Sequence, residues 1–285
     1  MRLCRFDDDR LGLVKRDHVL DVSAALEVLP RLSYPLPPGD LLIAHLGAVM
    51  ARVRALEPKA VRKPLASCAL LSPVANPPRI IAAPVNYLKH QAESVTDQGI
   101  SFGREVKTIA EYGLFLKSPT SLVGPSQGVA LRFPDRRNDH EVELAVVIGK
   151  GGDRIPCGAA IDHIAGYAIG LDMTVRGTED RSQRKSIDSY SVLGPWLVTK
   201  DEIADPGDLE LSIAVGGQVR QRSSTRFLIF DVPRLIEYAS AYYALHPGDV
   251  IMTGTPEGVA PVKPGDVMHC EIAGIGAMDV AVRAA

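Results

Sequence analysis

Apolar and polar positions alternate from the first residues of the chain. The run RLCRF, the turn Asp7-Asp8-Asp9 and the run LGLVKRDHVLDV predict a β-hairpin and a further strand within residues 1–22. The period changes after Asp40. Leu41, Leu42, His45, Leu46, Val49, Val53 and Leu56 fall near helical spacing, so a helix capped by Asp40 is expected to end near Leu56. From Arg79 onward strand-like runs multiply: RIIAAPV, GLFLK, VALRF, VELAVVIG, AGYAIGLDM, PWLVT, LELSIAV, DVIMTG, VMHCEI and MDVAVRA. Turn clusters such as Gly124-Pro125 and Pro247-Gly248-Asp249 separate them. One clear helix pattern remains, Val232–Tyr243, with Leu235, Ile236 and Ala239 on one face. Strands do not alternate regularly with helices, which disfavours a Rossmann fold or a TIM barrel. The pattern predicts an α+β, β-dominated chain, with a small N-terminal domain over 1–75 and a larger one over 76–285.

Composition narrows the function. The 285 residues carry a formal net charge of -2, which excludes a generally basic binder of nucleic acid or anionic membrane. No apolar run approaches the roughly 20 residues that span a bilayer. The N-terminus is acid-rich with no apolar signal core, so a cytoplasmic location is expected. Cys4, Cys68, Cys157 and Cys270 are far apart and form no zinc or redox pair. The stretch Gly124-Pro125-Ser126-Gln127-Gly128 matches a serine-hydrolase pattern, but a strand-like run follows it where that motif needs a helix. It reads as a turn.

Candidate chemistry begins at Asp139-His140-Glu141-Val142-Glu143-Leu144. On a strand, Glu141 and Glu143 share a face. Two carboxylates entering an apolar strand repel each other and resist desolvation unless a cation lies between them. A hard divalent ion would serve, and so would a polar strand edge facing water. Asp172 ends another apolar strand and could reach the same ion, or simply close a turn. His90 and Glu93 are three residues apart, so they meet on a helical turn, either as a general-base dyad or as a surface pair. A long polar stretch runs on to Glu111, a possible lid. The charged run Arg176–Lys185 is either a solvated loop or a site for an anion, with Lys185 stabilising oxyanion charge. The turn Thr253-Gly254-Thr255-Pro256-Glu257-Gly258 allows close backbone approach and offers hydroxyls.

The order of NYLKH, DHEVELAVVIGK, GYAIGLDMTVR, KSIDSYSVLGPW and TGTPEGV resembles the fumarylacetoacetate hydrolase family over essentially the whole chain. The resemblance implies a mixed β-roll catalytic domain behind a small N-terminal β-rich domain. It implies a bound Mg²⁺ (or Mn²⁺ or Ca²⁺) and a homodimer. It places metal ligands at Glu141, Glu143 and Asp172, and a water-activating dyad at His90 and Glu93. The family lysine falls on Lys185, and Tyr87, Lys117, Arg176 and Thr255 fall at substrate-binding positions. The implied activity is hydrolytic C–C cleavage of a 2,4-diketo acid, a small anionic keto acid. Isomerase, decarboxylase or hydratase chemistry on a related dicarboxylic acid is the alternative. Many members continue the DxTxR motif as RDxQ, whereas here Glu179 stands in the glutamine's place. Its charge would disfavour a substrate carboxylate there unless a cation compensates.

Overall fold

A computed structural model describes residues 1–285. The longest apolar runs form its centre. Val142–Ile148, Ile164–Asp172 and Ser191–Thr199 lie side by side in one antiparallel array, and every residue in them is buried. Strands covered on both faces read as continuous apolar runs, as these do. Val250–Met252, Ile80–Ala82 and Phe115–Lys117 extend the sheet on one side. Arg2–Phe6 extends it on the other, pairing Leu3 with Leu197 and carrying Arg10–Lys15, His18–Asp21 and Val61–Pro64 outward. A second sheet is built from Gln218–Ser224, Glu210–Val215, Val267–Ile272, Gly276–Ala284 and Val129–Leu131. A small third one joins Thr174–Val175, Asn138–His140 and Ala260–Pro261. The architecture is the expected β-dominated α+β one.

Residue alternation sorts the core. Val142, Leu144, Val146 and Ile148 enter the main hydrophobic cluster, while Ala145 and Val147 enter a separate one on the opposite face. Glu141 and Glu143 belong to the Ala145 face by register. The helix Val232–Tyr242 starts on Asp231, which caps Arg234 N–H at 2.9 Å, and buries Leu235, Ile236 and Ala239. Gly124–Gly128 is a turn between Leu122–Val123 and Val129–Leu131, and Ser126 Oγ there accepts from Leu70 N–H at 2.7 Å.

Three elements differ from the sequence pattern. The helix after Asp40 breaks at His45 into Leu41–Ala44 and Leu46–Leu56. Gln218–Ser224 is a strand although it is almost wholly polar, because it is a sheet edge bonded only to Glu210–Val215. The polar stretch after Glu93 is partly helical: Leu88–Thr96 is followed by short turns at Gln98–Ser101 and Ile109–Tyr112.

Candidate active site and metal centre

The site forms where three buried strands end together. Val142 pairs with Leu171, so Glu141 and Asp172 are the next opposed positions, and Asp172 N–H donates to the Glu141 carbonyl at 2.9 Å. Glu143 follows two residues later on the same face. Carboxylate oxygens of Glu141, Glu143 and Asp172 all lie within 4.8 Å of one another, and all three residues are buried. The chain's own cations do not balance them evenly. Lys185 Nζ bridges Glu141 Oε2 at 2.6 Å and Asp172 Oδ2 at 2.8 Å. Arg176 donates to Glu141 Oε1 at 2.9 Å and to Asp139 Oδ2 at 2.8 Å. Lys117 pairs with the other oxygen of Asp172 and donates to the Tyr190 carbonyl at 2.8 Å. Glu143 makes no ion pair; its Oε2 accepts only the Gly254 N–H at 2.7 Å.

Proton affinities follow that division. Burial alone would raise the Glu141 carboxyl, but Lys185 and then Arg176 overcome it and hold it below the ordinary range. Burial, reinforced by Asp172 and Glu141, pushes the Glu143 carboxyl well above it. Burial also lowers the Lys117 ammonium, against the pull of Asp172. An all-oxygen set of three close carboxylates, one without a counter-charge, fits a hard divalent cation.

The dyad is assembled beside this triad. Asn86 fixes the entry to its helix: its amide donates to the carbonyls of Phe230 at 2.9 Å and Thr253 at 2.8 Å. His90 then falls on the buried side of Leu88–Thr96. Its Nδ1 lies 2.9 Å from Glu93 Oε2, and Glu93 Oε1 accepts the Gly258 N–H at 2.9 Å. With Nδ1 occupied, Nε2 is the nitrogen left to accept a proton. Gly254 and Gly258 have φ of +100° and +95°, a left-handed backbone that only glycine adopts easily, and that geometry aims their N–H groups at Glu143 and Glu93. The TGTPEG turn thus holds one oxygen of each carboxylate.

A cavity of about 420 Å³ opens over these groups, with His90, Glu141, Glu143, Asp172, Lys185 and Thr255 on its wall. Arg176 also reaches the wall; Lys117, Glu93 and Tyr87 do not line it, and Lys117 and Tyr87 are buried. Tyr87 is buried, with no hydrogen-bond partner for its hydroxyl, and burial beside Glu143 raises that phenol. Thr255 Oγ donates to the Val142 carbonyl at 2.9 Å and accepts from Gln221 at 2.8 Å. Gln221 sits on the polar edge strand, where nothing in the sequence marked it. Asp139, the counter-charge of Arg176, was visible only as the acid opening DHEVE. Glu179 lies on the wall, but Arg136 grips both its oxygens at 2.9 Å and lowers its carboxyl to about 2. The compensating cation is therefore Arg136, from the loop before Asn138–His140.

The model of the fumarylacetoacetate hydrolase C-terminal domain matches residues 79–283. The chain belongs to the fumarylacetoacetate hydrolase family. Among family relatives, a maleylpyruvate hydrolase of Aquipseudomonas alcaligenes is 56% identical over 285 residues, covering 99% of each chain. An oxaloacetate tautomerase, mitochondrial, of Xenopus laevis is 34% identical over 98% of this chain and 89% of its own. The crystal structure of maleylpyruvate hydrolase from Sphingobium sp. SYK-6, in complex with manganese(II) and pyruvate, superposes with a TM-score of 0.85 at 38% identity. That match covers 100% of this chain and 99% of that one. No helix of the family member described here is long and apolar enough to cross a membrane.

Proposed function

We propose that this chain is a divalent-metal-dependent hydrolase that cleaves the C–C bond of an acylpyruvate, with maleylpyruvate as its substrate. The observation that carries this reading is the 56% identity to a maleylpyruvate hydrolase along the whole length of both chains. The buried carboxylate triad and the His90–Glu93 dyad on one cavity support it.

Glu141, Glu143 and Asp172 would hold the ion, Mg²⁺ or Mn²⁺, which supplies Lewis acidity for the 2-keto acid end of the substrate. His90, oriented by Glu93, takes a proton from water through Nε2. The resulting hydroxide adds to the distal carbonyl carbon. The bond from that carbon to the methylene breaks, and its electron pair leaves as the enolate of pyruvate. The acyl part leaves as a carboxylic acid, and a proton on the methylene carbon completes pyruvate. Lys185, between Glu141 and Asp172, supplies positive charge where oxyanion charge develops. Thr255 and Arg176 face the keto-acid end from the wall, with the buried Lys117 pairing Asp172 and the buried Tyr87 beside Glu143 supporting it from outside the lining. The homodimer and cytoplasmic location expected from the sequence belong to the same reading, checked by light scattering and by fractionation.

The test is direct. Purified protein is mixed with Mn²⁺ or Mg²⁺ and maleylpyruvate, and the enol absorbance and products are followed. Formation of pyruvate and maleate in equal amounts is expected, with loss of activity in EDTA. Isomerised substrate without pyruvate would replace the hydrolase reading with that of an isomerase.

A further inference from the structure

Five cationic side chains line the cavity: Arg104, Arg176, Arg181, Arg184 and Lys185. They are not equivalent. Arg176 and Lys185 are already neutralised by the triad carboxylates and Asp139. Arg104 is exposed and donates to the Thr178 carbonyl at 2.6 Å. Arg184 donates to the carbonyls of Glu179 at 3.0 Å and Val175 at 3.3 Å. Arg181 makes no ion pair and bonds to no carbonyl. It is half-buried and stacked on aromatic faces, 4.5 Å from the Tyr112 ring centroid and 5.6 Å from that of Phe115. The neighbouring Asp180 is exposed and engaged in capping, accepting from Ser182 N–H at 2.8 Å.

We propose that Arg181 is the specificity-determining residue of this site and receives the distal carboxylate of a dicarboxylic acylpyruvate. The inference rests on the hydrolase reading and names the residue that would hold the distal end of that substrate. Geometry supports it. Arg181 and Lys185 open and close the helical turn Arg181–Lys185, so they stand on one face, about 6 Å apart along the axis. Phe115 lies under both, with Lys185 Nζ also 5.6 Å from its centroid. The reacting carbonyl belongs near Lys185, and an unpaired guanidinium one turn away is within reach of the far end of a short acyl chain. Tyr112 and Phe115 lie against the guanidinium, and no carboxylate or carbonyl of the chain takes its N–H groups, which suits bidentate capture of a carboxylate. Burial disfavours the lone charge, so an arriving anion gains more here than at an exposed arginine.

The experiment compares maleylpyruvate with acetylpyruvate, which has the same keto-acid end but no distal carboxylate. kcat/KM is measured on both for wild type, Arg181→Met and Arg181→Lys with Mn²⁺. In Arg181→Met the ratio of maleylpyruvate to acetylpyruvate should fall by about 10–100-fold, the range of a charge-assisted hydrogen bond, chiefly through KM. Arg181→Lys should recover part of it. An equal loss on both substrates, or wild-type enzyme that prefers acetylpyruvate, overturns the subsite while the hydrolase reading stands. Wild-type enzyme inert to every acylpyruvate overturns the hydrolase reading and the subsite with it.

Discussion

Glu141 and Asp172 stand opposite one another on neighbouring strands, and one lysine ties them together. Their backbones are joined at 2.9 Å, and Lys185 Nζ lies 2.6 Å from the first carboxylate and 2.8 Å from the second. Removing it leaves two buried negative charges short of a partner. Lys185→Met should therefore destabilise the metal-free protein by about 3–5 kcal/mol, the usual cost of breaking a buried pair. Mn²⁺ should restore part of that loss, because it supplies charge to the same oxygens. kcat should fall by about 10²–10³-fold, as when one oxyanion donor is removed. A wild-type melting temperature for Lys185→Met in EDTA would show that the bridge does not carry the charge balance.

Glu143 leads to a prediction about pH. Its raised carboxyl comes from burial first, then from Asp172 and Glu141. An acid whose pKa is higher folded than unfolded stabilises the fold at low pH, where it is protonated. That stability is lost as pH rises from the ordinary carboxylate range through the folded value. A divalent ion must displace the same proton, so its stabilising effect grows over the same window. The rise in melting temperature caused by Mn²⁺ should be larger at about pH 8 than at about pH 5.5, with proton release visible by calorimetry in two buffers. A shift independent of pH would remove Glu143 from the ligand set.

The clustering of the carboxylate triad and of the His90–Glu93 pair was legible because these residues sit on strongly patterned elements. Glu141, Glu143 and Asp172 end apolar strands, and alternation alone put the two glutamates on one face. His90 and Glu93 share a helical turn, and i,i+3 spacing brings them together. What escaped the sequence depends on contacts between distant segments. Arg136 reaching Glu179 joins positions 43 apart, and Gln221 reaching Thr255 joins two different sheets' turns and edges. Neither has a local signature. The polar strand Gln218–Ser224 was invisible for a related reason: an edge strand is held by backbone bonds, and its exposed side chains carry no period-two apolar signal.

The proposed roles of dyad and triad separate proton transfer from metal binding. His90→Ala removes the proposed base and should lower kcat on maleylpyruvate by about 10²–10⁴-fold. Glu93→Gln should act in the same direction, because Glu93 fixes the imidazole at 2.9 Å while being held itself by Gly258 N–H. Neither side chain belongs to the carboxylate triad. Mn²⁺ affinity by calorimetry should therefore stay within a few-fold of wild type in both variants. Metal affinity collapsing along with kcat would mean that the two residues act through the metal centre instead of on water.

Arg136 is expected to act on substrate affinity without reaching the reacting carbons. Its two N–H bonds to Glu179 lower that carboxyl from the ordinary range to about 2. Glu179 is thus ionised at any working pH; its ion pair contributes above the ordinary carboxylate range and is lost as pH falls toward that value. In Arg136→Ala the same anion faces the cavity uncompensated, on the wall that the proposed dianionic substrate would meet. KM for maleylpyruvate should rise a few-fold with little change in kcat, and the effect should shrink as salt shortens the Debye length. Adding Glu179→Gln to Arg136→Ala removes the anion and should bring KM back. If the double variant is as impaired as Arg136→Ala alone, the arginine works by holding the Arg176 carbonyl, to which it also donates at 2.8 Å, and the charge of Glu179 is incidental.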